Sequence, residues 1–264
     1  MSVIITLTTD FGTRDGYAGA VKGVLAARCP GVKLVDITHE IPPHDVEAGA
    51  WTLLTAVPWF PERTVHLAVV DPGVGTDRAP IALSMGGHFL VGPDNGLFGL
   101  LPRKLGRDWR GVRIDPERVG ALPLSGTFHG RDLFAPAAAL LAGCLEREGE
   151  AALFALGPPI PEWFCLPWPE PACEPDRLKG EVVRIDRFGN AITNLEASMI
   201  SWPSAVVSVV GRRLPLVRTY GEVGVGESLA AVGSAGLLEI AVNRGSAARG
   251  LGLKKGTPVE VFRG

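Results

Sequence analysis

The sequence predicts an α/β domain with a mostly parallel sheet over residues 1–156, a proline-rich linker over 157–175, and a smaller antiparallel β-barrel-like domain over 176–264. Three observations carry this reading. Apolar runs of strand length alternate with helical patterns in the first part of the chain. The stretch "GPPIPEWFCLPWPEPACEP" from 157 to 175 holds too many prolines for a helix or a central strand. Beyond it, short β-rich segments follow one another between glycines.

The first element is "SVIITLT" (2–8), a buried strand, followed by helical spacing in "DGYAGAVKGVLAARC" (15–29). "VKLVDIT" (32–38) is a second strand. "DVEAGAWTLLTAVPWF" (45–60) reads as a helix that starts at an Asp45 N-cap, with Glu47 in its first turn. "TVHLAVV" (64–70) and "HFLVGP" (88–93) are further strands, and "DLFAPAAALLAGCLER" (132–147) is an apolar helix. Strands alternating with helices call for a largely parallel sheet covered on both faces. In the last part, "KGEVVRID", "AVVSVVG", "RRLPLV", "ESLAAVG", "LLEIAVN" and "PVEVF" are the barrel or sandwich strands.

Composition narrows the class of function. The chain has 264 residues, 46% hydrophobic and 20% charged, with a formal net charge of −2 and a mean hydropathy of +0.22. A nucleic-acid partner would call for a basic stripe, and none is visible. No apolar stretch approaches the length of a membrane span. The four cysteines, Cys29, Cys144, Cys165 and Cys173, show neither a CxxC pair nor finger spacing, so reduced thiols are expected, three of them in apolar surroundings. With no signal-peptide pattern at the start, a soluble, cytoplasmic protein is expected.

Ligands of open α/β sheets bind at the carboxyl ends of the strands, and this chain loads those ends with polar groups. The first strand runs into Asp10 in "TTDFGTRDG", a central strand into Asp71 in "VVDPGVGTDRAP", and another into Asp94 and Asn95 in "GPDNGLFG". "SGTFHGRD" then places His129 and Arg131 just before the apolar helix. Each residue taken singly also reads as a turn, cap or loop residue. Together they mark a site and leave its reaction open. Neither GxxxxGK[ST] nor GxGxxG is present, so phosphate-loop and dinucleotide sites are not expected. Asp10, Asp71, Asp94 and His129 are of the right type for a divalent ion, although their spacing does not demand one. In the last part, Asp186 and Asn190 flank a hairpin turn at Phe188 and Gly189, and Ser234, Glu239 and Asn243 surround a glycine-bounded strand.

Taken in order, "TTDFGTRDGYAGAVKG", "IPPHDVEAGA", "VVDPGVGTDR", "GPDNGLF", "TFHGRD", "IDRFGNAITN" and "GLLEIAVNRGSAA" resemble the S-adenosyl-L-methionine (SAM) hydroxide adenosyltransferases, relatives of the fluorinase and chlorinase. The resemblance runs from Thr8 to about Ala248. It implies hydrolysis of SAM to adenosine and methionine, with SAM as substrate and no cofactor or metal. It also implies a homotrimer whose substrate lies between the N-domain of one subunit and the C-domain of its neighbour. The Asp-Arg-His set of the hydroxide-using members maps onto Asp71, Arg78 and His129. Asp10 matches the ribose-binding aspartate. Asp186, Phe188 and Asn190 match the hairpin at the methionine portion and the adenine, and Tyr220 an aromatic on the adenine face. Ser234 matches a serine near the methionine carboxylate and Asn243 an adenine contact, with Phe128, Glu239 and Val242 beside them.

This chain departs from the halide-using relatives where the nucleophile would sit. The fluorinase has tyrosine in place of Asp71, and tyrosine and serine in place of His129 and Gly130. A carboxylate repels a small anion and hydrogen-bonds water, so the resemblance and the chemistry both imply water as nucleophile. The fluorinase also carries arginine where this chain has Ala235 and Val242, which leaves the partner of the methionine carboxylate open. The alternative classes are a SAM-dependent halogenase, a metal-dependent nucleotide hydrolase and a non-catalytic adenosine or SAM sensor.

Overall fold

The computed structural model describes residues 3–121, 123–200, 202 and 205–263; Ser2, the first residue of the expected strand 2–8, lies outside them. The chain forms two compact units, one ending at Pro167 and one beginning at Trp168. In the first, strands β1 (Ile4–Thr9), β2 (Lys33–Thr38), β3 (Val65–Val69), β4 (Pro80–Met85), β5 (His88–Pro93) and β6 (Trp109–Arg113) make one sheet in the order β2-β1-β3-β5-β4-β6. The β1–β2, β1–β3 and β3–β5 pairs are parallel, while β4 runs antiparallel to both β5 and β6.

Burial on both faces explains the near-continuous apolar strands. Along β3, Val65, Leu67 and Val69 pack with helices α1 (Tyr17–Arg28) and α4 (Ala135–Glu148). Ala68 and Val70 instead join the cluster of helix α2 (Val46–Ala56), together with Ile81, Leu83 and Leu90. Helix α2 is capped as the sequence predicts, with the Asp45 carboxylate accepting from the Ala48 amide at 2.9 Å. The expected helix over 45–60 gives way at Pro58 to a 3₁₀ turn, Val57–Trp59. The expected helix over 132–147 opens as a single π-helical turn, Gly130–Phe134, before α4. Strands β4 and β6 were missed; both belong to the antiparallel side of the sheet, and Gly86 and Gly87 at φ +55° and +79° join β4 to β5 in a tight hairpin. At Gly92, on β5, an added Cβ would lie 2.2 Å from the Ala68 carbonyl oxygen, so only glycine lets β5 approach β3 there.

The proline-rich segment, expected as a linker, is bound to the first unit over its leading half. Arg113 donates to the Pro158 carbonyl at 3.0 Å and Ile160 to that of Gly111 at 3.0 Å, which adds an extended edge to β6. Prolines are tolerated there because an edge leaves half the backbone groups unpaired.

The second unit closes seven strands into a barrel: β8 (Arg177–Ile185), β9 (Ala191–Glu196), β10 (Val206–Val209), β11 (Arg212–Val217), β12 (Ser228–Val232), β13 (Leu237–Val242) and β14 (Pro258–Phe262). Strand β14 pairs with both β10 and β8 and so closes the ring; a two-residue strand β7 (Ala172–Cys173) adds to β8. All neighbours are antiparallel except β11 and β12. The interior is filled by Val182, Ala191, Val207, Leu238, Ile240, Val259 and Val261. Two short helices were not expected: α3 (Pro102–Leu105) in the first unit, and α5 (Ala247–Leu251) in the second, capped by Ser246 and ended by Gly252 in the left-handed region. All four cysteines are free thiols; Cys165 and Cys173 are exposed, so two rather than three lie in apolar surroundings. Among the described residues no helix is long and apolar enough to cross a membrane.

At the amino end of β3 lies a buried polar string. Thr6 Oγ1 meets His66 Nδ1 at 2.8 Å, and His66 Nε2 meets His88 Nδ1 at 3.1 Å. Burial, followed by the neighbouring His88, pushes the His66 pKa down to about 3. The unfolded chain therefore binds more protons than the native state between the ordinary histidine value near 6.5 and about 3. Unfolding free energy measured by urea denaturation should be flat above pH 7 and fall steadily as pH drops through that window. His66→Phe should lower the plateau and flatten the slope; an unchanged slope would contradict this assignment.

Candidate functional site

Strand register sets the stage. Thr9 of β1 lies beside Val69 of β3, and Leu67 beside Val91 of β5. The residues just past these strands, Asp10, Asp71 and Asp94–Asn95, thus emerge at one edge of the sheet. Two contacts zip the last two loops together: Asn95 Nδ2 donates to the Val70 carbonyl at 2.8 Å, and the Asp94 amide to that of Ala79 at 2.9 Å. The Asn95 bond holds the backbone immediately before Asp71.

Arg78 curls back over seven residues to grip Asp71. Its Nε lies 3.0 and 2.9 Å from the two carboxylate oxygens, and its Nη2 2.5 Å from Oδ2. The Asp71 and Arg78 side chains are only 5% and 9% exposed. The guanidinium also lies 5.1 Å from the centroid of the Phe134 ring, in the π-helical turn. The same Nη2 reaches His129 Nδ1 at 2.8 Å. Arginine has only donors, so Nδ1 must accept and the proton of the neutral ring sits on Nε2. Burial, then the Arg78 charge, holds the His129 pKa below its ordinary value, against the opposite pull of Asp71 and Asp132. The structure therefore joins the three residues that the family resemblance groups as a set: one arginine bridges one carboxylate and one neutral imidazole.

Phe128, just before His129, stacks edge-on against Phe11 at 5.6 Å and Tyr17 at 5.2 Å. Asp10 accepts from the His44 amide at 2.9 Å through Oδ2. Asp94 is occupied elsewhere: it accepts from the Phe164 amide at 2.8 Å and anchors the proline-rich segment, while burial raises its pKa. Among the described residues no three His, Cys, Asp or Glu side chains are grouped as a metal ion would require.

The remaining expected residues belong to the second unit. Asp186 organises the β8–β9 turn, accepting from the Phe188 and Asn190 amides at 2.9 and 2.8 Å and from Asn190 Nδ2 at 3.0 Å. Phe188 is left 75% exposed at the tip. Gly189, at φ +85°, passes so near Ser246 that a side chain there would collide with its hydroxyl. The Tyr220 hydroxyl donates to the buried Glu239 carboxylate on β13. Burial and nearby Asp186 raise the Glu239 pKa, with Tyr220 opposing, and burial and Glu239 raise that of Tyr220. Asn243, just past β13, is tied to the connection between β11 and β12, donating to the Val223 carbonyl at 2.8 Å. Val242 packs toward Gly245, and Ser234 is exposed in the turn between β12 and β13. The sequence reading missed the roles of Asn95 and Asp132, although "GPDNG" and "FHGRD" contain them.

Comparison with known proteins places this geometry. The N-terminal domain model of the SAM hydroxide adenosyltransferases matches residues 5–148, and the C-terminal domain model residues 180–260. The chain is 47% identical over 261 residues to an (R)-S-adenosyl-L-methionine hydrolase of Thermus thermophilus, covering 96% of this chain and 97% of that protein. It is 29% identical over 296 residues to a fluorinase of an Actinoplanes species, covering 98% and 97%. The crystal structure of an uncharacterized conserved protein from Thermotoga maritima superposes with a TM-score of 0.86 at 33% identity, covering 98% of this chain and all of that one. With both domain models matched in order across the chain, this protein belongs to the SAM hydroxide adenosyltransferase family.

Proposed function

We propose that this protein hydrolyses S-adenosyl-L-methionine, with water attacking the 5′ carbon to give adenosine and L-methionine. As the O–C5′ bond forms, the C5′–S bond breaks and its electron pair returns to sulfur; the water proton leaves to solvent. The leaving group is a neutral thioether, so neither a general acid nor a metal ion is required of the protein.

The observation that carries the reading is the Arg78 bridge between Asp71 and His129. Arg78 occupies His129 Nδ1, two lone-pair sites on Asp71 Oδ2 and one on Oδ1, leaving one acceptor site on Oδ1 and a donor at His129 Nε2. One acceptor and one donor are what a water molecule needs to be held by one hydrogen and one lone pair. A halide would find the donor and be repelled by the carboxylate. With the histidine lone pair spent on Arg78, the trio orients water rather than stripping it, and proton loss follows carbon–oxygen bond formation. The substrate contacts assigned by resemblance, Asp10, Phe128, Asp186, Phe188, Asn190, Tyr220, Ser234, Glu239, Val242 and Asn243, complete the proposal, as do a homotrimeric assembly and a cytoplasmic setting. Light scattering should return three times 27.9 kDa; a monomer would remove the assembly from the proposal.

Incubation with SAM should yield adenosine and methionine in equal amounts, in the presence of EDTA and without halogenated nucleoside when chloride is added. Asp71→Asn and His129→Ala should each reduce kcat by about a hundredfold or more; near-normal turnover in both would reject the assignment, and binding without turnover by the unmodified protein would make it a sensor.

The lowered His129 pKa sets the acid limb. Protonation at Nδ1 would break the Arg78 contact, so activity should fall as pH drops through a midpoint below 6.5, the ordinary histidine value. A kcat/KM profile with its acid midpoint above 6.5 would contradict this.

A further inference from the structure

Asp132 is the last residue of "TFHGRD", and its carboxylate touches neither Asp71 nor Arg78 in any hydrogen bond described above. Its side chain is 1% exposed, and burial of a charged group is costly unless its oxygens are satisfied. Both are. Oδ1 accepts from Arg131 Nε at 2.6 Å, and Oδ2 from the Ser125 amide at 3.0 Å. Although burial pushes the Asp132 pKa up, Arg131 and Ser125 outweigh it and hold the group below the usual carboxylate range.

These bonds close a clasp around one turn. The Ser125 hydroxyl accepts from the Phe128 amide at 3.0 Å, and the Phe128 carbonyl accepts from the Arg131 and Asp132 amides at 3.2 and 3.1 Å. Arg131, held by Asp132, lies 4.9 Å over the Phe128 ring. Every strand of the clasp runs through Ser125, Phe128, Arg131 or Asp132, and His129 sits in its middle. The π-helical turn begins directly after it, with the Ala135 amide reaching back to the Gly130 carbonyl. Such turns add one residue to a helical repeat and re-aim what precedes them.

We propose that Asp132 is a positioning residue for the reaction: clasped to Ser125 and Arg131, it fixes the Phe128–His129 turn and sets the His129 ring against Arg78. The inference rests on the hydrolase reading above. Its electrostatic reach is separable from its mechanical one. The charges acting on His129 are Arg78 and Asp71 from the loop after β3 and Asp132 from its own segment, of which the two carboxylates favour the imidazolium and Arg78 opposes it. Removing the Asp132 charge leaves Arg78 less opposed.

The test uses Asp132→Asn and Ser125→Ala in the full chain. Each is read by steady-state kinetics with SAM and by NMR titration of the His129 imidazole, assigned by its absence in His129→Ala. Asp132→Asn should lower kcat about ten- to a hundredfold with little change in KM, and move the His129 titration midpoint and the acid limb to lower pH. Ser125→Ala should lower kcat about tenfold and leave the midpoint in place, because the charge remains. Wild-type kcat in Asp132→Asn overturns the proposal, and so does a fall in kcat with an unmoved midpoint, which a merely structural residue would give. Should Asp132→Asn fail to fold, Ser125→Ala decides: reduced kcat supports the clasp and wild-type kcat overturns it. If the unmodified protein makes no adenosine, the hydrolase reading falls and the midpoint shift alone decides the role of Asp132.

Discussion

The candidate site of the first unit is organised around a single cation. Arg78 is the only residue of the site that touches both of the others, and its side chain is almost wholly buried between a carboxylate and an imidazole. Removing one partner of such a pair strands the other charge in a poorly solvated place, at a cost of about 3–5 kcal/mol. Much of the surrounding architecture reads as support for this arrangement. Phe134 backs the guanidinium, Asn95 pins the backbone before Asp71, and the Ala79–Asp94 contact fixes the loop just after Arg78. Lysine would not serve in its place, since a point charge lacks the fork that meets two oxygens and a ring nitrogen in one plane.

The same clamp explains the division of labour between the two protein groups. A carboxylate and a histidine within reach of water usually suggest a base and its orienting partner. Here the arginine turns the histidine into a donor and leaves the carboxylate one free acceptor. What results is a donor and an acceptor held side by side, the polarity on which the proposed preference for water over an anion rests. A shared scaffold does not by itself fix the chemistry, which lives in the residues of the site.

Strand-end logic made much of this legible from sequence. Asp10, Asp71 and Asp94 lie at one sheet edge because parallel strands in register must end together, and the burial of both faces of β3 follows from a run that is apolar except at His66. What pattern reading missed has local physical causes. β4 and β6 are short antiparallel additions whose pairing comes from a glycine hairpin and an edge, neither of which leaves a periodic signature. The π-helical turn at Gly130 is invisible to a 3.6-residue period, which simply reads through it. Asp94 looked like a site residue and is a structural anchor for the proline-rich segment, because the deciding partner, the Phe164 amide, lies 70 positions away. Asp132 was overlooked for the converse reason: its partners lie within seven residues, where a carboxylate before a helix passes for an ordinary cap.

Two proton-sensitive histidines are tied to β3: His66 lies on it, and His129 is joined through Arg78 to Asp71, just past its end. His66 sits near its amino end and Asp71 just beyond its carboxyl end, five residues apart and so separated by about 16 Å of extended backbone. Protonation at the partly open His129 needs only a proton and is reversed as quickly as the buffer is changed. His66 is fully buried in the sheet, so over the same range of pH it is the unfolded chain that takes up the proton. On the role proposed for His129, acid would act on this protein in two places, at the site through a half-buried ring and on the fold through a ring inside the sheet.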